Sequence, residues 1–435
     1  MVSGHSKVFA ALALTSVLGA PTWAQEAPKK EFKDRAEYDL FEASRTGKDP
    51  KKSLEALNQW KEKYPATDYK IERLTMYLST YQQLNQGENM WNAGKDLLAE
   101  DPSNITGLYW MTLLGMSLGR TEPDRLGTGE KASNGFIGSL DTTFAPDKRP
   151  PNMSESDWKT QRNNMEAAAR TTLGWIAMNR KNPKLAEEEF IKSLKLNQGN
   201  GQVSTWLGGV IRDQKDPDKQ SAILFHFARA AHYDGPGALS PVDRQKWQAF
   251  FEKAFVTFHG DKSGIEDVIK VAKSTAVPDK YPEIENINVI LNRKEEEFKK
   301  TNPMLALWLS VKKELSGDNG PEYFKTIKDA LMPGGANDVK KFKARIVSTK
   351  PEARPKEVVV AISPGDAAEA TLRLDAPMAG KADPGTEIEF EGVAVEYTRE
   401  PFNLTFDVEK DNVTGWPAPP KPAPKTSGKK GAKKK

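Results

Sequence analysis

Residues 173–194 read LGWIAMNRKNPKLAEEEFIKSL. Leu173-Gly174 opens the stretch, Asn182-Pro183 interrupts it, and Ala186 and Phe190 follow before Ser193-Leu194. Apolar residues recur every three or four positions on both sides of the interruption, which predicts two amphipathic helices joined by a turn. Four residues make about one helical turn, so Ala186 and Phe190 share a face. The small Ala lets the first helix approach, and the Phe fills the gap behind it. Gly174 falls where the two helices come close. Working outward, Leu207-Gly208 lies 34 residues after Leu173-Gly174, and Ala222 and His226 take the places of Ala186 and Phe190. Upstream, Leu40, Leu74 and Leu108 are spaced by 34, and Leu114-Gly115 is a further Leu-Gly pair. Ala132, Phe136 and Ser139-Leu140 repeat the second half of the pattern, and Pro65 and Pro102 each close a unit.

A helix–turn–helix with this period resembles the tetratricopeptide repeat (TPR). The resemblance covers residues 34–278 and is tightest in the two units between Met165 and His232. In the third unit, Leu108 and Leu114 both fit the Leu position. One repeat cannot bury its own face, so a stacked helical solenoid is implied. The resemblance also implies a groove lined by the first helix of each pair, which would hold a protein or peptide ligand. The side opposite the Leu-Gly stripe carries Thr171, Trp175, Asn179, Thr205 and Arg212. Trp and Arg are the residue types that anchor interfaces. Trp175 follows its Leu by two and Arg212 follows its Leu by five, a difference of about 60° the short way round a helix. That puts them on one broad side.

Residues 281–332 remain helical in pattern and read as a cap for the solenoid. The period then changes from 3.6 to 2. Alternating or Val-rich runs at 342–347, 357–362, 370–374, 387–395 and 402–408 predict five strands, with a bulge at Gly392. The fold class is therefore α+β: a TPR-like solenoid, then at 339–410 a small five-stranded barrel or sandwich. The long fourth strand is similar to that of OB-type barrels. Such barrels often hold oligonucleotides or oligosaccharides, but this segment has 11 Lys and Arg against 13 Asp and Glu. Single-strand binding needs a basic groove with stacking aromatics, so nucleic acid is not an expected partner.

The first 24 residues have the form of a secretory signal. His5 and Lys7 precede the apolar run 8–18, Pro21 breaks it, and Ala24 offers a small residue before Gln25. Eleven residues are too few to span a membrane, which takes about 20. No later stretch approaches that length, so no transmembrane segment is expected in the mature chain. The reading is an exported bacterial protein, periplasmic or secreted. At the other end, residues 416–435 form a Pro/Ala/Lys tail with seven Lys and no acid. Such a tail is expected to be disordered. It is either a solubilising end or an electrostatic anchor for anionic cell-wall polymer or lipid headgroups. Its charge exceeds the net +4 of the 435-residue chain, so the body is mildly acidic.

The chain has no cysteine and four His, which removes disulfides, thiol nucleophiles and Cys-based metal sites. Gly127 to Lys131 looks Gly-rich but lacks P-loop spacing. His226 and His232 are six residues apart, about 240° of helix, and do not share a face. Asp213, Asp216 and Asp218 lack the Gly and distant Glu of a calcium loop. Ser310 and Lys313 have neither companion motif of the penicillin-binding enzymes. The sequence therefore predicts a protein with no catalytic residues, metal or cofactor. It reads as an exported, non-catalytic TPR scaffold, or alternatively as a cell-wall or glycan-binding protein using the β-module and tail.

Overall fold

The structure, a computed structural model, describes residues 30–418. The expected signal segment and all seven Lys of the tail lie outside the described residues. Two compact units meet in sequence between Asn286 and Ile287.

The first unit is helical. α1 (Arg35–Thr46) packs on α2 (Pro50–Lys63), α3 (Lys70–Gln83) on α4 (Gly87–Glu100), and α5 (Ile105–Ser117) on α6 (Pro123–Thr143). α7 (Glu155–Asn179) packs on α8 (Pro183–Leu196), and α9 (Gly201–Asp213) on α10 (Gln220–His232). α11 (Pro241–His259) and α12 (Ile265–Ser274) both pack against α10. Several of the helices begin where a side chain can satisfy a free amide. Asp34, Asn104, Ser154, Asn182, Asn200 and Ser240 each accept an amide from the residue three positions on. Pro183 and Pro241 fill the first helical turn, where no amide partner is needed. The turns after α3, α7 and α9 repeat one another: Asn85, Lys181 and Lys215 take left-handed backbone, with φ of 54°, 59° and 56°.

The second unit contains α13 (Ile287–Thr301), α14 (Pro303–Ser316) and α15 (Gly320–Ile327), followed by strands. The strands are β1 (Leu331–Met332), β2 (Phe342–Lys350), β3 (Glu357–Ala361), β4 (Ala370–Leu374), β5 (Glu387–Phe390), β6 (Gly392–Arg399) and β7 (Phe402–Val408). They form one mixed sheet in the order β1-β6-β7-β4-β3-β2-β5, in which only β4 and β7 run parallel. Inward residues alternate along β2 and β4 and meet in a core with Phe342, Val360, Leu372, Phe390 and Phe406. Trp308, Val311 and Leu315 of α14 are buried in that same core. The segment expected to cap the solenoid therefore divides: 281–286 belongs to the helical unit, and 287–332 to the unit with the sheet.

The sheet has seven strands where the alternation predicted five. Two physical details account for the difference. Leu331-Met332 is too short to show a period, yet it pairs with Val393 and Gly392. The expected fourth strand breaks at Glu391, so that β5 pairs with β2 while β6 pairs with β7. Gly392 is required at that break, because a Cβ there would lie 2.6 Å from the Val408 side chain.

Candidate functional site

The repeat is built on one contact used twice. A Cβ on Gly174 would sit 2.5 Å from the Phe190 ring, so only glycine lets α7 and α8 meet as they do. Phe190 then stacks on Trp206 of α9, with ring centroids 5.8 Å apart. Gly208 of α9 is covered in the same way by Phe227, whose ring would lie 2.6 Å from an added Cβ. Phe227 stacks on Trp247 of α11 at 5.3 Å. The α7–α8 and α9–α10 hairpins thus each close over a glycine and pass an aromatic ring to the next helix in the chain. The helices of this unit pair as consecutive hairpins from α1–α2 to α9–α10.

The residue over Gly208 is Phe227, whereas the sequence pattern put His226 there. A 3₁₀ turn, Pro217–Lys219, precedes α10 and shifts its register against the preceding hairpin. His226 is instead fully buried beside Phe225 and Tyr281.

The five groove candidates separate into two groups. Thr171 is buried, and its hydroxyl shares a 2.8 Å hydrogen bond with Ser193 of α8. Ser193 in turn donates to the Ala167 carbonyl at 2.9 Å. Thr205 is also buried; its hydroxyl donates to the Gln202 carbonyl and accepts from the Gln202 side-chain amide, both at 2.8 Å. The two threonines are therefore packing residues and offer nothing to a ligand. A hydroxyl next to a helix backbone is easily satisfied there, and the side opposite the Leu-Gly stripe is narrower than a helical wheel suggests. Trp175 and Asn179 are half-buried on α7, and Asn179 Nδ2 donates to the Trp175 carbonyl at 2.8 Å. Arg212 is the most exposed of the five, with its side chain 57% accessible and its nearest carboxylate, Asp213, 4.0 Å away. Trp175 and Arg212 thus keep part of their side chains at the surface.

The other sequence candidates resolve into structure. Gly129 lies inside α6, where a Cβ would meet the Gly115 Cα at 3.3 Å, so the Gly-rich run allows two helices to touch. Asp216 accepts the Asp218 amide at the start of the 3₁₀ turn. No group of His, Asp and Glu among the described residues is placed to hold a metal ion. No helix among them is long and apolar enough to cross a membrane.

Sequence reasoning missed a second feature, at the end of the helical unit. After α12 the chain runs from Thr275 to Asn286 without helix or strand. Arg229, buried in α10, donates to the carbonyls of Ala272 (2.5 Å), Thr275 (2.8 Å) and Gln198 (2.7 Å). His226 Nε2 and the Tyr281 hydroxyl are 2.9 Å apart. Ile284 donates its amide to Ser221 (3.2 Å), and His259 Nδ1 donates to the Glu285 carbonyl (3.0 Å). Ala276 and Ile284 are buried in the helical core. A hollow of about 470 Å³ lies beside Tyr281, bordered by Glu187, Asp218, Lys219, Ser221 and Glu283. Burial and then the nearby Arg229 charge hold the His226 imidazole down at about 3, so it is neutral at ordinary pH. Burial pushes the Tyr281 phenol up to about 12. The signal in the sequence was His226 and Arg229 standing inside an otherwise apolar helix, ILFHFARAAH.

No family model and no curated protein matches this chain. Among solved structures, it is similar to the MamA protein at 16% identity, covering 47% of this chain and 98% of that one, with a TM-score of 0.32. It is also similar to TTC0263, a thermophilic TPR protein of Thermus thermophilus, at 15% identity over 51% and 96% of the two chains (TM-score 0.25). A tetratricopeptide repeat protein from Parabacteroides merdae matches at 13% identity over 57% and 95% (TM-score 0.29). Likenesses this loose carry no argument about function.

Proposed function

We propose that this protein is an exported, non-catalytic scaffold whose helical repeats hold a protein partner in the cell envelope. The observation that carries this reading is the repeated glycine–phenylalanine–tryptophan contact. It consumes the apolar faces in stacking and leaves Trp175 and Arg212 within reach of a ligand. An aromatic face and an exposed cation, loosely paired with Asp213, suit a partner segment that presents an apolar side chain and a carboxylate. Export rests on the leader-like first 24 residues. In the same reading the β-module is an OB-like barrel. β5 and β6, separated by Glu391, pair with β2 and β7 respectively, and β4 lies parallel to β7, which would close the order into a ring.

In vivo crosslinking with a photoreactive residue at position 175, followed by identification of the adduct, tests the scaffold. One dominant protein adduct that Arg212→Ala abolishes, with helical content unchanged, supports it. No adduct from intact cells, or an adduct indifferent to Arg212→Ala, overturns it. Sequencing the mature chain tests export, with Gln25 expected as the first residue.

A further inference from the structure

We propose that residues 275–285 are a strap bound within the chain to the face of α10, which opens when His226 takes up a proton. Four observations support this. First, the segment has no ladder or helix of its own, and side chains hold it in place: Arg229, His226 and Ser221 from α10, and His259 from α11. Their partners run in reverse order along α10, with Thr275 at Arg229, Tyr281 at His226 and Ile284 at Ser221. The strap therefore lies antiparallel to the helix, as a bound extended peptide would.

Second, its middle is held by one polar contact. Tyr281 packs edge-on against Phe225 and bonds to His226. Beside it the packing is incomplete, because the hollow of about 470 Å³ opens there. Third, His226 Nδ1 is buried without a hydrogen-bond partner. The imidazole therefore has one partner in the closed state, where a buried polar group normally satisfies both ring nitrogens.

Fourth, no carboxylate among the described residues pairs with His226. Its one hydrogen-bond partner is the Tyr281 hydroxyl from the strap, and the charge acting on it is the Arg229 guanidinium on α10. Across the hollow, Glu187 of α8 is engaged by Lys219 at 2.6 Å. Asp218, Lys280 and Glu283 line the outer rim. Protonation would place two cations one turn apart in a dry site, which is costly without a counter-ion. Moving the strap aside admits water to the ring, so opening and proton uptake are linked. The imidazole is held at about 3 when closed and has an ordinary value of 6.5 when free. The closed state is thus fully favoured above about pH 6.5 and loses ground as pH falls towards 3.

Hydrogen exchange on the full chain, followed by mass spectrometry and corrected for intrinsic rates, tests the proposal. Between pH 7 and pH 5, protection of the peptide spanning 275–286 should fall by about 25-fold, while α7 and α8 stay protected. His226→Gln keeps a group able to bond to Tyr281 but cannot titrate, so it should abolish the pH response. Tyr281→Phe removes the contact alone and should lower strap protection already at pH 7. If His226→Gln does not fold, the Tyr281→Phe result still decides. Three outcomes would overturn the proposal: pH-independent protection in the unsubstituted chain, strap and repeats losing protection together, or unchanged protection in Tyr281→Phe.

Discussion

Arg229 in the helical unit and Glu369 in the β unit are buried charges accommodated in opposite ways. Among the described residues Arg229 has no carboxylate partner; it closes over carbonyls at the C-terminal end of α12. Arg73 repeats the device at the end of α2, donating to the carbonyls of Trp60 (3.2 Å) and Tyr64 (2.7 Å). Helix ends leave carbonyls unpaired and carry partial negative charge, so an array of helices suits a buried cation. Glu369 is solved by donors. It accepts from the Trp308 indole (3.2 Å), the Lys312 ammonium (2.5 Å) and the amides of Ile362 (3.0 Å) and Ser363 (2.6 Å). A strand end leaves amides free, and an anion gathers them. In both units the orphaned backbone sets the sign of the charge that can be buried.

The comparison breaks most sharply at Glu369. Glu369→Ala should cost about 3–5 kcal/mol, because it strands two amides, an indole N–H and an ammonium at once. Urea denaturation followed by Trp308 fluorescence would show it, and a loss under about 1 kcal/mol would mean the anion is incidental. The same group gives an acid limit. Burial alone would raise its carboxyl, but Lys312 and the amides of Ser363 and Ile362 outweigh that and hold it below the usual 4.5. Its contribution is therefore complete above about pH 4.5 and is lost as pH falls through the folded value. The β unit should hold its stability down to that point, while the strap on α10 loosens from pH 6.5 downward. Glu369→Gln should flatten the acid limb of the β unit.

Next in size are the glycines of the repeat contact. Gly208→Ala drives a methyl into the Phe227 ring and should cost about 1–3 kcal/mol. Its neighbour supplies the control: Gly209 has open space where a Cβ would go. Gly209→Ala should stabilise α9 by about 0.5–1 kcal/mol through helix propensity. Thermal melts of the two variants should move in opposite directions, and a shared direction would show that ring-on-glycine packing does not limit the repeat. The smallest effect belongs to Arg212→Ala, which should change stability by less than about 0.5 kcal/mol. A larger loss in a melt would mark Arg212 as a structural residue and remove it from the proposed groove.

The helical half was legible because its period is local. Leu173-Gly174, Ala186 and Phe190 belong to one hairpin and meet across it, and capping residues such as Ser154 and Asn182 act on amides three positions away. The groove was legible only in part. A helical wheel counts angle but not neighbours, so it could not tell Thr171, paired with Ser193 across to α8, from half-buried Trp175.

The sequence by itself determined the repeat, its turns and the change of period that opens the strands, because side-chain spacing acts on adjacent backbone. Only the tertiary structure decided that Phe227 rather than His226 covers Gly208, and that α14 enters the core of the sheet. It also decided that the stretch after α12 lies along α10. Each of these depends on a partner well outside the local window. Tyr281 meets His226 across 55 positions, and Trp308 meets Glu369 across 61. No local period records such pairs, since what selects them is which buried donor or acceptor the folded chain leaves unsatisfied.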